Sequence, residues 1–502
     1  MKRLRRFFVL IAMRRVAAAA VLALFSLGGA RAADMSSTAT LVRPAPGGAP
    51  WTAAQITALQ RRLDTILNAA TLRGAHVGII AIDTVRKTPV YVRSADDAMM
   101  PASNFKLLVG SAALATLGTT FTYVTTVGSD GTNLYLRGGG DSLLKAKDLD
   151  AAAAAIAAQG ITRVTDVVTD ATYFDNQRLG YGWSWDDLPY YYAPVVSALG
   201  IEDHVAHVFM SPGDAAGTPV KLRVEPQTDA FTIDNQLTTA DKTGKDTSDI
   251  VRPWDEPRTI RLTGTYPLGA KESGDLVPAV PDPESYAGDV FLRALRAHGV
   301  TVSGTMHSGV MPSTARSVWT HNSEPMPQLL ADFWYPSDNL MGELLLKELG
   351  VHQAQQPGST ANGAKLESAW LKSIGVDPSS VTIGDGSGLS QYDRITPRGL
   401  LTILEYDWNS ANRDVVLDAL PVSGVRGTLK SSYIGTPAEK TVWAKTGSIS
   451  HVRTISGFVK TKTHGPLTFS FMINDWMGED QPHGGADLAK VRAAFFAQLA
   501  SE

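Results

Sequence analysis

The chain has 502 residues, enough for two to four domains of ordinary size and an extensive buried core. Apolar residues make up 44% and the net charge is −3, which excludes a disordered chain and gives no sign of a nucleic-acid binder. Cysteine is absent, so disulfides, Cys-bound zinc, iron–sulfur clusters and a thiol nucleophile are excluded.

The charge total hides a partition. Residues 1–32 carry Lys2, Arg3, Arg5, Arg6, Arg14, Arg15 and Arg31 and no acid, which leaves 39 basic against 49 acidic side chains beyond them. A basic start, the apolar run 16–29 and Ala30-Arg31-Ala32 read as a secretory signal cleaved near Ala32. The run is shorter than the 18 or so apolar residues of a membrane anchor. Arg5-Arg6-Phe7-Phe8 faintly resembles a twin-arginine signal, and Met13 opens a second signal-like stretch. No later segment is long and apolar enough to span a bilayer, so the mature chain is expected to be exported without an integral span.

Residues 33–50 are small and Pro/Gly-rich, a linker. Thr52 is an N-cap candidate for a helix bearing Ile56, Leu59, Leu63, Ile66 and Leu67, which Gly74 ends. Residues 76–82 form an apolar strand that 90–93 can pair with. The stretch 103–117 reads as a buried helix stopping at Gly118. From about 120 to 315 the chain turns Thr/Asp/Gly/Pro-rich, with short strands at 121–127, 133–136, 220–224 and 259–262. Helical pattern returns at 340–349 and 399–408. Strands 454–460 and 467–473 follow, then a helix with Leu488, Val491, Phe495 and Leu499 on one face. This order predicts an α+β fold whose sheet is closed by both termini. The expected domains are 51–120 with 316–502, and a β-rich insert 121–315 with an inner subdomain at about 203–284.

No G-x-S-x-G elbow, G-x-G-x-x-G or P-loop occurs. His204 and His207 lack a third ligand and no H-E-x-x-H occurs, so no metal and no cofactor are expected. Three short patterns remain. Ser103-Asn104-Phe105-Lys106 opens the apolar helix, and its spacing puts Ser103 and Lys106 on one face. A lysine there, depressed by burial and the helix dipole, can take the serine proton. Alone, the tetrapeptide reads equally as a helix cap beside an exposed lysine. Ser337-Asp338-Asn339 offers a hydroxyl to relay a proton and an amide to hold a lysine and a carbonyl; alone, Ser337 reads as an N-cap. Lys445-Thr446-Gly447-Ser448 follows an apolar strand and can line a cleft edge. Gly447 there would let a substrate backbone approach. A decoy, Lys242-Thr243-Gly244, lies in a polar run.

Ser337 follows Ser103 by 234 residues and Lys445 follows Ser337 by 108. This order resembles the motif set of penicillin-binding proteins and β-lactamases. The long first interval resembles one branch, the D-Ala-D-Ala carboxypeptidases of low-molecular-mass class C penicillin-binding proteins (peptidase family S13). Further segments are similar to that branch: 101–107 to P-A-S-N-x-K-L, 134–141 to its insert hairpin, and 182–187 to its W-x-W-x-D. So are 385–390 to D-G-S-G-L-S, 444–448 to A-K-T-G-T and 451–459 to V-R-x-L-x-G-Y-V. Ser448 stands where the family commonly has threonine, and Arg426 where it usually has aspartate.

The resemblance implies a transpeptidase-like domain of helices on an antiparallel sheet. It implies Ser103 as nucleophile, Lys106 as base, Ser337 as proton relay, and Asn339 and Lys445 in the site. Backbone N–H groups of Ser103 and Ser448 would hold the oxyanion. Thr446, Gly447 and Ser448 would bind substrate, and Asp187 and Tyr192 would line a side-chain pocket. The implied partners are peptidoglycan stem peptides ending in D-Ala-D-Ala and β-lactams as covalent inhibitors. A crosslink-cleaving endopeptidase, a β-lactamase and a non-catalytic wall-binding scaffold are the alternatives. The long insert and the lack of a class A glutamate speak against a β-lactamase, and the intact motif residues speak against a scaffold.

Overall fold

A computed structural model of the chain describes residues 41–354 and 357–502. The expected signal at 1–32 and the first part of the linker lie outside the described residues.

Thr52 caps helix α1, Ala53–Leu67, in a capping box with Gln55, whose side chain takes the Thr52 N–H at 2.9 Å. A short 3₁₀ turn, Ala70–Leu72, follows, and Gly74 turns the chain at a φ of 82°. Strands β1 (His76–Asp83) and β2 (Pro89–Arg93) form the predicted hairpin. Strands β3 (Val442–Ile449), β4 (Val452–Lys460) and β5 (Pro466–Asn474) complete one sheet in the order β3-β4-β5-β1-β2, antiparallel throughout. The first and last strands of the fold are thus neighbours, and β3 is an edge.

The sheet is covered on both faces, so β5 is buried along its whole length rather than alternating. Its Phe469, Phe471 and Ile473 pack under α1 and the C-terminal helix α6 (Gly484–Ser501), among Leu59, Leu63, Phe495 and Phe496. Met472 points the other way, into a second core. There α2 (Lys106–Leu117) is buried from Lys106 to Leu114, enclosed by α3 (Asn339–Ala354), α4 (Thr360–Ser373) and α5 (Pro397–Asn409).

The middle of the chain is not all β. Helices Ala146–Ala158 and Pro283–Ala297 pack on a five-stranded sheet, and two three-stranded sheets follow between 207 and 276. Strand Arg316–Asn322, placed with the peptidase part by the 121–315 boundary, is instead the edge of that five-stranded sheet. It pairs antiparallel with Val124–Ser129, from Asn322 opposite Val124 to Arg316 opposite Ser129. The chain returns to the peptidase core only at Met326–Trp334, where Met326 N–H reaches the Phe121 carbonyl at 3.0 Å.

One buried acid sits in the second core. Asp407 of α5 accepts from the Ser111 hydroxyl of α2 at 2.7 Å, and burial pushes its pKa up to about 7. The folded chain keeps a proton there that the unfolded chain releases near pH 4. Stability therefore falls as pH rises from about 4 to about 7, by up to about 4 kcal/mol. Asp407→Asn should remove that loss: its Tm should overtake the wild type's increasingly across this range. Parallel Tm–pH curves would count against a protonated Asp407.

Candidate active site

The first motif does not begin as an α-helix. Ala102–Phe105 is a 3₁₀ turn, and the α-helix starts at Lys106. Ala102 has a φ of 47°, a conformation a side chain disfavours. Contacts from distant segments hold it. The Thr454 hydroxyl donates to the Pro101 carbonyl at 2.7 Å. Asn474 takes the Met100 N–H at 2.7 Å and donates to its carbonyl at 3.0 Å. The buried Asn104 amide donates to the Lys445 carbonyl and accepts from the Ser456 hydroxyl, each at 2.7 Å. The Ser103 turn is therefore seated on β3, β4 and β5.

Lys106 is fully buried and has three acceptors: Ser103 Oγ at 3.0 Å, Asn339 Oδ1 at 2.6 Å and the Ser387 carbonyl at 2.5 Å. Burial pushes its pKa down to about 8, opposed first by the Asp385 charge. A neutral amine has two N–H groups. Two carbonyl oxygens occupy them, and the lone pair is left facing the Ser103 hydroxyl.

Ser337 and Lys445 form a second pair, with Nζ donating to Oγ at 2.7 Å. Ser337 has a φ of 66° and does not cap α3; Asp338 does, taking the Met341 N–H at 2.9 Å. That backbone turn sends Ser337 toward Lys445 while Asn339 reaches Lys106. Lys445 is fully buried, and burial followed by the nearby Lys106 charge holds its pKa well below the usual lysine range. It also donates to the Thr446 carbonyl. No carboxylate forms an ion pair with it among the described residues.

The rest of the third motif lines the edge of β3. Thr446 is half-buried and donates to the Thr428 hydroxyl at 2.7 Å, and Ser448 is exposed. Gly447 differs from its expected role. A Cβ there would lie 2.2 Å from Thr454 Oγ1, 2.7 Å from the Pro101 carbonyl and 2.9 Å from Asn104 N. The Ser103 turn of the protein itself makes a close approach there. The decoy Lys242 and Thr243 are exposed beyond strand Thr232–Ala240.

The insert reaches the site through Asn339, whose Nδ2 donates to the Tyr192 carbonyl at 2.6 Å. The Tyr192 hydroxyl donates to Asp187 at 3.1 Å, and burial raises the pKa of both. Trp183 Nε1 donates to Asp385 at 2.7 Å, tying the 182–187 stretch to the 385–390 loop. Asp385 also takes the Ser387 hydroxyl and the N–H groups of Ser387, Gly388 and Ser390. Arg426 bonds the Leu417 and Leu420 carbonyls at the end of helix Arg413–Ala419 and stacks 5.3 Å over Tyr335, two residues before Ser337.

Sequence reasoning missed the Ser387 carbonyl and the Asn104 amide. A backbone acceptor leaves no side-chain signature. Asn104 stood as the fixed asparagine of the P-A-S-N-x-K-L match, but no role was assigned to it. Gly447→Ala should destabilise the fold by about 1–3 kcal/mol and displace the Ser103 turn. Acylation by a labelled penicillin should fall by about 100-fold. Unchanged Tm and labelling would contradict this packing.

The D-Ala-D-Ala carboxypeptidase 3 (S13) family model matches residues 59–495. The D-alanyl-D-alanine carboxypeptidase of Actinomadura sp. (strain R39) is 33% identical, over 94% of this chain and 91% of its own length. D-alanyl-D-alanine carboxypeptidase DacB of Haemophilus influenzae is 26% identical over 81% of this chain and 87% of its own. The crystal structure of penicillin binding protein 4 (dacB) from Haemophilus influenzae matches with a TM-score of 0.79 at 25% identity, covering 88% of this chain and 99% of that one. These matches agree with the α+β, penicillin-binding-protein fold expected from the motifs. The chain therefore belongs to the D-Ala-D-Ala carboxypeptidase 3 (S13) family of enzymes.

Proposed function

We propose that the chain is an exported serine D-alanyl-D-alanine carboxypeptidase acting on peptidoglycan stem peptides through an acyl-enzyme on Ser103. The observation that carries this reading is the Lys106 amine, 3.0 Å from Ser103 Oγ with both other acceptors being carbonyl oxygens. Lys106 takes the Ser103 proton as Oγ attacks the carbonyl between two D-alanines. Backbone N–H groups of Ser103 and Ser448 hold the oxyanion. The C–N bond then breaks, and Ser337, hydrogen-bonded to Lys445, passes a proton to the departing D-alanine amine. Water cleaves the ester and releases the shortened peptide. A β-lactam forms the same ester, but its leaving group stays tethered.

Lys445 supports the choice of substrate. Burial and the Lys106 charge disfavour the ammonium form of Lys445, and a substrate carboxylate beside it would stabilise that form. Thr446 and Ser448 lie beside it on the edge strand as further donors. Asp187 and Tyr192 line the far side of Asn339, where a basic side-chain terminus of the stem peptide would meet a carboxylate. Export rests on the 1–32 leader pattern.

Fluorescent penicillin should label the wild type covalently and leave Ser103→Ala unlabelled. An unlabelled wild type would refute the acyl-enzyme. Offered a muropeptide pentapeptide and a D,D-crosslinked dimer, the enzyme should release D-alanine from the pentapeptide faster. Preferential cleavage of the dimer would assign it as an endopeptidase instead.

A further inference from the structure

One buried acid beside the site has no part in the chemistry above. Glu343 lies on α3, one helical turn beyond Asn339 and on the same face. It is 1% exposed. Its Oε1 accepts from Gly386 N at 2.9 Å, and the next residue, Ser387, presents the carbonyl that binds Lys106 Nζ. The packing leaves no slack: a Cβ on Gly342 would lie 2.5 Å from the Gly386 carbonyl oxygen. So α3 contacts Lys106 twice, directly through Asn339 and indirectly through Glu343.

The surroundings fix the charge of this acid. Asp385, next in the loop, receives five donors. Asp393 takes Gly384 N, and Glu367 of α4 faces the same cluster with both oxygens unpartnered. On α3 itself, Asp338 caps the helix and Lys347 is engaged by Asp175. Across the cleft, Lys445 opposes Lys106. Burial, then the Asp385 charge, pushes the Glu343 pKa well above the ordinary carboxyl range.

We propose that Glu343 is a positioning residue for the Lys106 base: its buried carboxyl group fixes the Gly386–Ser387 segment and so aims the Ser387 carbonyl at Nζ. Its neutrality matters as much as its grip. An ionised Glu343 would hold the proton on Lys106 and weaken it as a base, whereas an acid supplies the acceptor oxygen without the charge.

This inference rests on the Ser103 reading. Its test compares acylation of the full chain by benzylpenicillin, from about pH 5 to 10, in the wild type, E343Q and E343A. E343Q keeps the shape and neutrality of the acid. It should acylate within about threefold of wild type with the acid limb of the profile unmoved. E343A should acylate about 100-fold more slowly, because Lys106 loses its alignment. Its acid limb should move to higher pH as water reaches Lys106 and relieves desolvation. Three results would overturn the proposal: an E343Q limb displaced downward by about one pH unit or more, E343Q as slow as E343A, or E343A as fast as wild type. If E343A does not fold, the E343Q profile still decides. Wild-type labelling at Ser103 is read separately, so the two ideas can fail independently.

Discussion

The structure is organised around one buried amine. Lys106 Nζ is removed from water and given three oxygen acceptors, each from a different segment: the Ser103 turn, the start of α3 and the 385–390 loop. A buried cation without such partners would be strongly destabilising. With them it is tolerated, and burial holds its pKa down to about 8. Those acceptors must arrive together, so the second core is arranged to deliver them. Helix α2, buried from Lys106 to Leu114, presents the lysine, α3 presents Asn339, and α4 and α5 flank the acidic loop.

The insert takes part in the same arrangement. Asn339 has its oxygen on Lys106 and its nitrogen on the Tyr192 carbonyl, so one amide joins the base to the insert. Trp183 on Asp385 makes a second junction, and Lys347 on Asp175 and the Gln177 carbonyl makes a third. These contacts are polar and buried or half-buried, where misplacement leaves groups unsatisfied. A displaced insert would therefore disturb the base directly.

Much of this was legible in the chain. Apolar periodicity gave α1, the β1–β2 hairpin and the C-terminal strands and helix, because both faces of one sheet must be covered. The spacing of Ser103, Ser337 and Lys445 gave the site, because hydroxyl and amine side chains carry their chemistry in their identity. Three kinds of information were hidden. Backbone acceptors such as the Ser387 carbonyl have no residue type. Backbone conformations imposed from afar, at Ala102 and Ser337, run against local preference. Close contacts such as Gly447 against Pro101 exist only once the fold is made. The insert boundary was misplaced for a related reason: strand Arg316–Asn322 is defined by its partner Val124–Ser129, which lies far back in the chain.

The seating of the Ser103 turn bears on when its geometry can form. Ala102 is held in its unfavourable conformation by Gly447, Thr454 and Asn474, and the Thr454 bond to Pro101 spans 353 residues. Gly388 packs against the Ala102 carbonyl from the 385–390 loop, and Asn104 N–H reaches the Pro101 carbonyl at 3.2 Å, so the clamp closes from several parts of the chain. The conformation of a turn near the start of the chain thus depends in part on strands near its end, so its geometry is a property of the completed sheet.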